Sequence, residues 1–355
     1  MAATATDVMR RQVGDRTLKA RRVTVVLLTL LLLVSVAGLA VGAAETSLWS
    51  SLVAWAQGED LSLRDQIVLL HIRLPRLLTG LLAGAALATS GALLQGLFRN
   101  PLADPEIIGV SAGASFGAVC AIVLGAALPF AGKLGAAFLP VLAFAGAWGA
   151  TLLLYRIATR HGRTSVATML LAGIALSALT MALTGVLIYI ADDAQMRDIT
   201  FWNMGSLSGA NWNKLVIAAP VIFVSLVAAQ ALGAGLNAMA LGEAAARHMG
   251  VSVQVVKRLT IVCVAAATGV SVAISGGIGF VGIVVPHVLR LISGPDHKHL
   301  LVNSALLGAC VLVSADIDAR VIIAPAELPI GIITAILGGP FFLWILLRQR
   351  GVLDL

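Results

Sequence analysis

Residues 259–289 read LTIVCVAAATGVSVAISGGIGFVGIVVPHVL, thirty-one consecutive positions without a formal charge. As one helix at ~1.5 Å per residue the run would be about 46 Å long, well beyond the ~30 Å hydrocarbon core of a bilayer. Its middle, Ser275-Gly276-Gly277-Ile278-Gly279, is a backbone breaker. The run is thus either one overlong crossing or two short ones ending near Ile274 and Ile292. That choice decides how often the chain crosses a membrane and where it ends.

Eight other uncharged runs flank it: 23–44, 77–98, 107–132, 134–155, 164–191, 215–242, 300–315 and 328–347. If 259–289 crosses twice, seventeen of the 24 Lys and Arg fall on the side of both termini and seven on the other. A single crossing degrades the split to fourteen and ten. The positive-inside rule therefore selects ten transmembrane helices with both termini cytoplasmic. Composition agrees with an all-α polytopic membrane protein: 59% of the 355 residues are apolar, the mean hydropathy is +0.99, and 12% are charged, against ~25% in soluble domains. Nucleic-acid binding is excluded because the net charge of +7 is not gathered in one basic domain. A disulfide-stapled secreted protein is excluded because Cys120, Cys263 and Cys310 lie within apolar runs, as packing residues do.

The chain divides into a basic cytoplasmic arm (1–22), a single transmembrane domain (23–350) and a short cytoplasmic tail (351–355). Ala43-Ala44 resembles a signal-peptidase site, but the apolar stretch from Val23 exceeds the ~7–15 residues of a signal sequence and reads as the first span. The arm, with six basic and two acidic residues, suits anionic lipid.

The spans are rich in glycine, with Gly80-x3-Gly84 in the second and Gly109-x3-Gly113-x3-Gly117 in the third, the small-residue seams through which membrane helices pack. Ionisable residues are almost absent from them. His287, beside Pro286, is the exception and reads as a buried, hydrogen-bonded structural histidine. That scarcity argues against an ion-coupled secondary transporter, which places a carboxylate or histidine at the midplane. No phosphate loop surrounds any of the five lysines, and no nucleophile elbow, zinc spacing or dinucleotide fingerprint occurs, so the chain reads as a transport subunit and not an enzyme. Asp296-His297-Lys298-His299 is too common a pattern to assign a metal.

The cytoplasmic link Phe98-Arg-Asn-Pro-Leu-Ala-Asp-Pro-Glu106 holds two prolines that enforce a rigid, non-helical turn. The segment 236–255 reads as short helices, with Gly250 placed to end one, and serves either as a docking surface or as an ordinary connection. On the outer face, His71-Ile-Arg73-Leu-Pro-Arg76 and Asp316-Ile-Asp-Ala-Arg320 carry arginines against the topology bias, which suggests contact with a partner or an anionic ligand. A third outer segment, Asp192 to Trp212, includes Arg197 and tryptophans suited to the interface.

Several motifs together resemble the FecCD-type permeases of ABC importers for iron-siderophores, haem and cobalamin. They are Arg73-Leu-Pro-Arg76, Gly84-Ala-Ala-Leu-Ala-x-Ser-Gly91, Phe98 to Pro105 with Ile108-Gly-Val-Ser-x-Gly113, the Leu241-Gly242 to Gly250-Val251 loop, and Gly276-Gly-Ile-Gly-Phe-Val-Gly-Ile-Val-Val-Pro-His287. The run from Asp193 through Arg197, Phe201-Trp202, Gly205-Ser206-Leu207 and Trp212 is most similar to the haem branch.

The resemblance implies a type II ABC importer permease fold of ten helices, paired as a homodimer in the bacterial inner membrane. Two ATPase subunits holding ATP and Mg would lie below it and a periplasmic substrate-binding protein above, with no cofactor on this chain and haem as substrate. It assigns Arg73, Arg76 and Arg320 to binding-protein docking. It assigns Leu241, Gly242, Glu243, Ala245, Arg247, Gly250 and Val251 to the ATPase coupling loop, and Asn100, Leu102, Thr164 and Ser165 to a cytoplasmic gate. Arg197 is expected to attract haem propionates, and His71 is an axial-ligand candidate that an exposed loop would leave merely solvated. A ferric-siderophore or cobalamin permease is the alternative within the family, and an ion-coupled secondary transporter the alternative outside it.

Overall fold

The computed structural model describes residues 16–42, 51, 53, 57–58, 62–129 and 131–353. Residues 1–15 of the basic arm, Ala43-Ala44 and the last two residues of the tail lie outside this range.

The protein is helical almost throughout. The helices are α1 (Thr17–Ala40), α2 (Leu74–Phe98), α3 (Val110–Leu124), α4 (Phe138–Ala158), α5 (Val166–Ile190), α6 (Asp193–Asn203), α7 (Trp212–Ala240), α8 (Glu243–His248), α9 (Val253–Ser275), α10 (Val281–Ser293), α11 (His297–Val321) and α12 (Ile330–Leu353). A two-stranded hairpin, β1 (Thr159–Arg160) and β2 (Arg163–Thr164), joins α4 to α5, its strands pairing Thr159 with Thr164 and Arg160 with Arg163. Its two-residue turn, His161-Gly162, has φ of 50° and 71°, the left-handed values that match strand twist.

Helix α2 is the axis of the molecule. It is continuous with a short helical turn (Leu63–Gln66) and a π-helical turn (Ile67–Arg73), a 36-residue unit whose apolar window is 83% buried. Helices α11, α9, α7 and α10 pack around it. Lipid gives helices no hydrophobic reason to associate, so close backbone approach must supply van der Waals contact. A methyl group at Gly84 would strike the carbonyl of Gly308 on α11, and one at Gly308 would strike the carbonyl of Gly84. Gly113 and Gly117 meet Gly146 and Leu142 of α4 in the same way. The predicted seams are therefore contacts. Thr24 adds a polar tie from α1, its Oγ1 donating to Asn303 Oδ1 at 2.7 Å.

The breaker in 259–289 divides α9 from α10. Gly276 adopts φ 72° and Phe280, the residue before α10, φ 68°. The open backbone there is satisfied by the end of α6: Ser206 N–H donates to Ser275 O at 2.7 Å and Gly277 N–H to Trp202 O at 3.3 Å. Gly331 at the start of α12 donates to Met204 O at 3.0 Å. Non-helical backbone in a membrane protein must be buried against protein in this manner.

Among the described residues, eight helices are long and apolar enough to cross a membrane, and two apolar ones, Val281–Ser293 and Ile330–Ile345, are shorter. Thirteen residues in α10 rise only about 20 Å, less than the ~30 Å core. The count of ten thus rests on charge and not on helix length.

Three sequence expectations shift. His71, Arg73 and Arg76 lie on helix and not on a loop before it, and Arg320 closes α11. Helix α1 begins within the basic arm, at Thr17. His287 is buried, but its Nδ1 has no hydrogen-bond partner among the described residues, and its ring meets Phe341 edge-on at 6.1 Å.

Candidate functional site

Arg73, Arg76 and Arg320 converge. Arg76 Nη2 lies 2.9 Å from Asp316 Oδ1, and Arg76 Nη1 lies 2.8 Å from Glu327 Oε1. Arg320 Nη2 lies 3.1 Å from Asp316 Oδ2, so one carboxylate joins two guanidiniums. The remaining donors turn to α1: Arg320 Nη1 reaches the carbonyls of Gly38 and Val41, and Arg73 Nη1 those of Leu39 and Ala40 at 2.7 and 3.0 Å. These carbonyls end a helix, where the backbone has unsatisfied acceptors and the dipole favours cations. Arg73, Arg76 and Arg320 are 4–6% exposed, and Arg73 and Arg320 close the carbonyl end of α1. Asp316 and Glu327 carry no role in the sequence-based expectations. The signal was Asp316-x3-Arg320, one helical turn apart.

The link from α2 to α3 folds inward. Arg99 ends α2 in the left-handed conformation, and Asn100 Oδ1 accepts the Leu102 N–H at 3.0 Å, the turn that an asparagine before proline favours. Ala103 and Asp104 are then buried, and Pro105–Ile108 forms a 3-10 turn packed on α5. Any side chain at Gly282 of α10 would meet the Asp104 carboxylate. Burial, aided by the like charge of Glu106, pushes the Asp104 carboxyl up to about 7, while the Glu106 N–H it accepts at 2.9 Å opposes this.

At the connection between α7 and α9, Gly242 (φ 107°) and Gly250 (φ 82°) bracket α8. Ala246 anchors α8 in the core, while Leu241 and Met249 at its two ends are 71% and 61% exposed. Behind α8 is a polar cavity of about 300 Å³ lined by Arg163, Thr164, Ser165, Glu243, Arg247 and Lys257. Lys257 Nζ, buried, pairs with Glu243 Oε1 at 2.7 Å and donates to Thr164 O at 2.8 Å. Thr164 N–H donates to Gln254 Oε1 at 3.0 Å, and Ser165 Oγ caps α5 by accepting the Thr168 N–H. The structure therefore brings Thr164 and Ser165 to α8 and the start of α9. Lys257 and Gln254 do so, and neither carries a role in the sequence-based expectations.

Asp192 opens α6 with a capping box completed by Gln195. Arg197 and Phe201, one turn apart on α6, are both exposed. His71 is exposed on the π-helical turn. Trp212 Nε1 donates to Leu70 O at 2.9 Å, tying the start of α7 to that turn. Asp296 and His297 are engaged structurally: Asn237 on α7 donates to Asp296 at 2.6 Å and accepts from the His297 N–H at 2.9 Å. Burial opposes the Asp296 charge, but the hydrogen bonds from Asn237 and from the Lys298 N–H, with the charges of His299 and Lys298, outweigh it and hold the carboxyl below its ordinary range.

Known proteins resemble this arrangement along nearly the whole chain. The model of the FecCD transport family matches residues 28–348. The hemin transport system permease protein HmuU of Yersinia pestis is 44% identical over 282 residues, 79% of this chain and 83% of that protein. The vitamin B12 import system permease protein BtuC of Salmonella paratyphi A is 43% identical over 297 residues, 83% and 88% of the two chains. The cobalamin import system permease protein BtuC of Halobacterium salinarum is 45% identical over 287 residues, 81% and 75%. A solved chain described as a metal-chelate type ABC transporter in an inward-facing conformation superposes with a TM-score of 0.81 at 33% identity, covering 92% of this chain and 99% of that one. PsaBC from Streptococcus pneumoniae, at 20% identity and a TM-score of 0.57 over 79% of this chain and 92% of its own, shares the fold. A multi-pass helical chain with these seams, this broken run and relatives at this identity belongs to the FecCD transport family, the permease subunits of ABC importers.

Proposed function

We propose that two copies of this chain form the inner-membrane pathway of an importer that moves haem from a periplasmic binding protein to the cytoplasm. Ten crossings place both termini inside, and two ATPase subunits bind the α8 segment from below. The observation that carries haem is the exposed pair on α6: Arg197 offers a cation for a propionate, and Phe201, 60% exposed, offers an apolar face for the macrocycle one helical turn away. The 44% identity to a hemin permease supports the same reading. His71 adds an imidazole on the outer side.

Binding-protein docking on Arg73, Arg76 and Arg320 requires partner carboxylates to replace intrachain acceptors such as Asp316 and Glu327. ATP-driven closure of the partners then biases two packings of the helices, with Asn100, Leu102, Thr164 and Ser165 at the cytoplasmic gate. The two cobalamin relatives, 43% and 45% identical, support cobalamin as the second reading. Uptake by the reconstituted complex with haem, a ferric siderophore and cobalamin in competition decides between them. Haem should compete best, and Arg197→Ala should lower haem uptake several-fold while the complex still assembles; failure of haem to compete overturns the haem assignment.

A further inference from the structure

We infer that Lys257 is the positioning residue that transmits movement of α8 to the Thr164–Ser165 turn. The inference rests on the proposed reading of α8 as the ATPase-docking helix and of Thr164 and Ser165 as gate residues, and it assigns the physical link between them.

The geometry is specific. Lys257 is on the first turns of α9 and is 2% exposed. Its ammonium touches two elements that are distant in sequence: Glu243, the first residue of α8, at 2.7 Å, and the Thr164 carbonyl, the last of β2, at 2.8 Å. One turn earlier on α9, Gln254 accepts the N–H of the same Thr164 at 3.0 Å. Both backbone polar groups of Thr164 are therefore held by α9, and the cation that holds one of them is neutralised by α8. The hairpin adds its own stiffness through the Thr159–Thr164 hydroxyl contact at 3.0 Å.

An ammonium this deeply buried is tolerable only while it is paired; removing its partner leaves an uncompensated charge. A displacement of α8 that left α9 and the hairpin behind would strand Lys257 in that state. The low-energy movement is the concerted one, in which α8, the start of α9 and the Thr164–Ser165 turn shift as a body. Since Ser165 caps α5, the same shift reaches a helix with little burial of its own, 17% over its apolar window. The exposed ends of α8, Leu241 and Met249, are where a push from a partner would enter.

The test is the ratio of substrate moved to ATP hydrolysed. The complete complex, with ATPase and binding protein, is reconstituted in vesicles with haem or cobalamin as probe, whichever the wild type transports. Lys257→Met keeps the length of the side chain and removes its charge and its donors. It should leave assembly and ATP hydrolysis largely intact while transport per ATP falls about tenfold, within the range usual for coupling between two sites. Glu243→Ala, at a position whose side chain is 30% exposed, should lower the same ratio, and the double variant should be no worse than Lys257→Met alone, because both break one link. An unchanged ratio in an assembled Lys257→Met complex overturns the inference. So does a fall of hydrolysis and transport in common proportion in the assembled complex, which leaves the ratio unchanged and is the mark of a merely structural residue. If Lys257→Met does not assemble, an unchanged ratio in Glu243→Ala overturns it. Absence of ATP-driven transport in the wild-type complex instead overturns the permease reading itself.

Discussion

Asp316 determines how three arginines are used. Its two oxygens bridge Arg76 and Arg320, Glu327 takes another donor of Arg76, and Nη1 of Arg320 and of Arg73 close the carbonyl end of α1. Arginine suits this task because its planar fork serves several acceptors at once. Asp104 is the opposite case, a buried carboxyl beside the like-charged Glu106. Its folded value of about 7 lies above the ~3.9 of an unfolded chain. The folded state therefore binds this proton more tightly, and the stability it contributes is full below about pH 4 and lost as pH rises to about 7. Asp104→Asn should remove that component. Unfolding midpoints measured from pH 4 to 7 should fall less steeply for the variant than for the wild type, and parallel curves would contradict the burial argument.

Between elements, glycine sets the distances. Helices α2 and α11 approach until the backbones of Gly84 and Gly308 touch, so a side chain there must force the axes apart. Gly84→Val should cost about 1–3 kcal/mol or more, the penalty for overpacking a filled site. It should appear as a lowered thermal midpoint in detergent. Gly149→Ala on α4, where an added methyl meets nothing within 4 Å, should leave the midpoint unchanged. These seams were legible because small residues recurred every four positions. The start of the α2 unit at Leu63 was not, because Arg64, Asp65, His71, Arg73 and Arg76 interrupt the apolar run. Hydropathy treats a buried, paired arginine as though it faced water. The hairpin at Thr159–Thr164 was likewise missed, its two-residue strands being too short to show a period.

For the molecule as a whole, the sparse charge of the spans implies that work enters from a partner. Vesicles containing this chain alone should accumulate no haem above passive leakage, whereas addition of the ATPase, the loaded binding protein and ATP should restore uptake. Accumulation by the chain alone under an ion gradient would establish a secondary transporter.

The sequence by itself determined the membrane class, the breaker in 259–289, the packing seams and the family resemblance, because hydropathy, glycine spacing and ordered motifs are local properties of the chain. Only the tertiary structure decided that Asp316 bridges two arginines, that the end of α6 satisfies the broken backbone at Gly276–Gly277, and that Lys257 joins Glu243 to Thr164. These are pairings between residues far apart in the chain. Their partners are chosen by which helix faces pack together, and no local pattern records that choice.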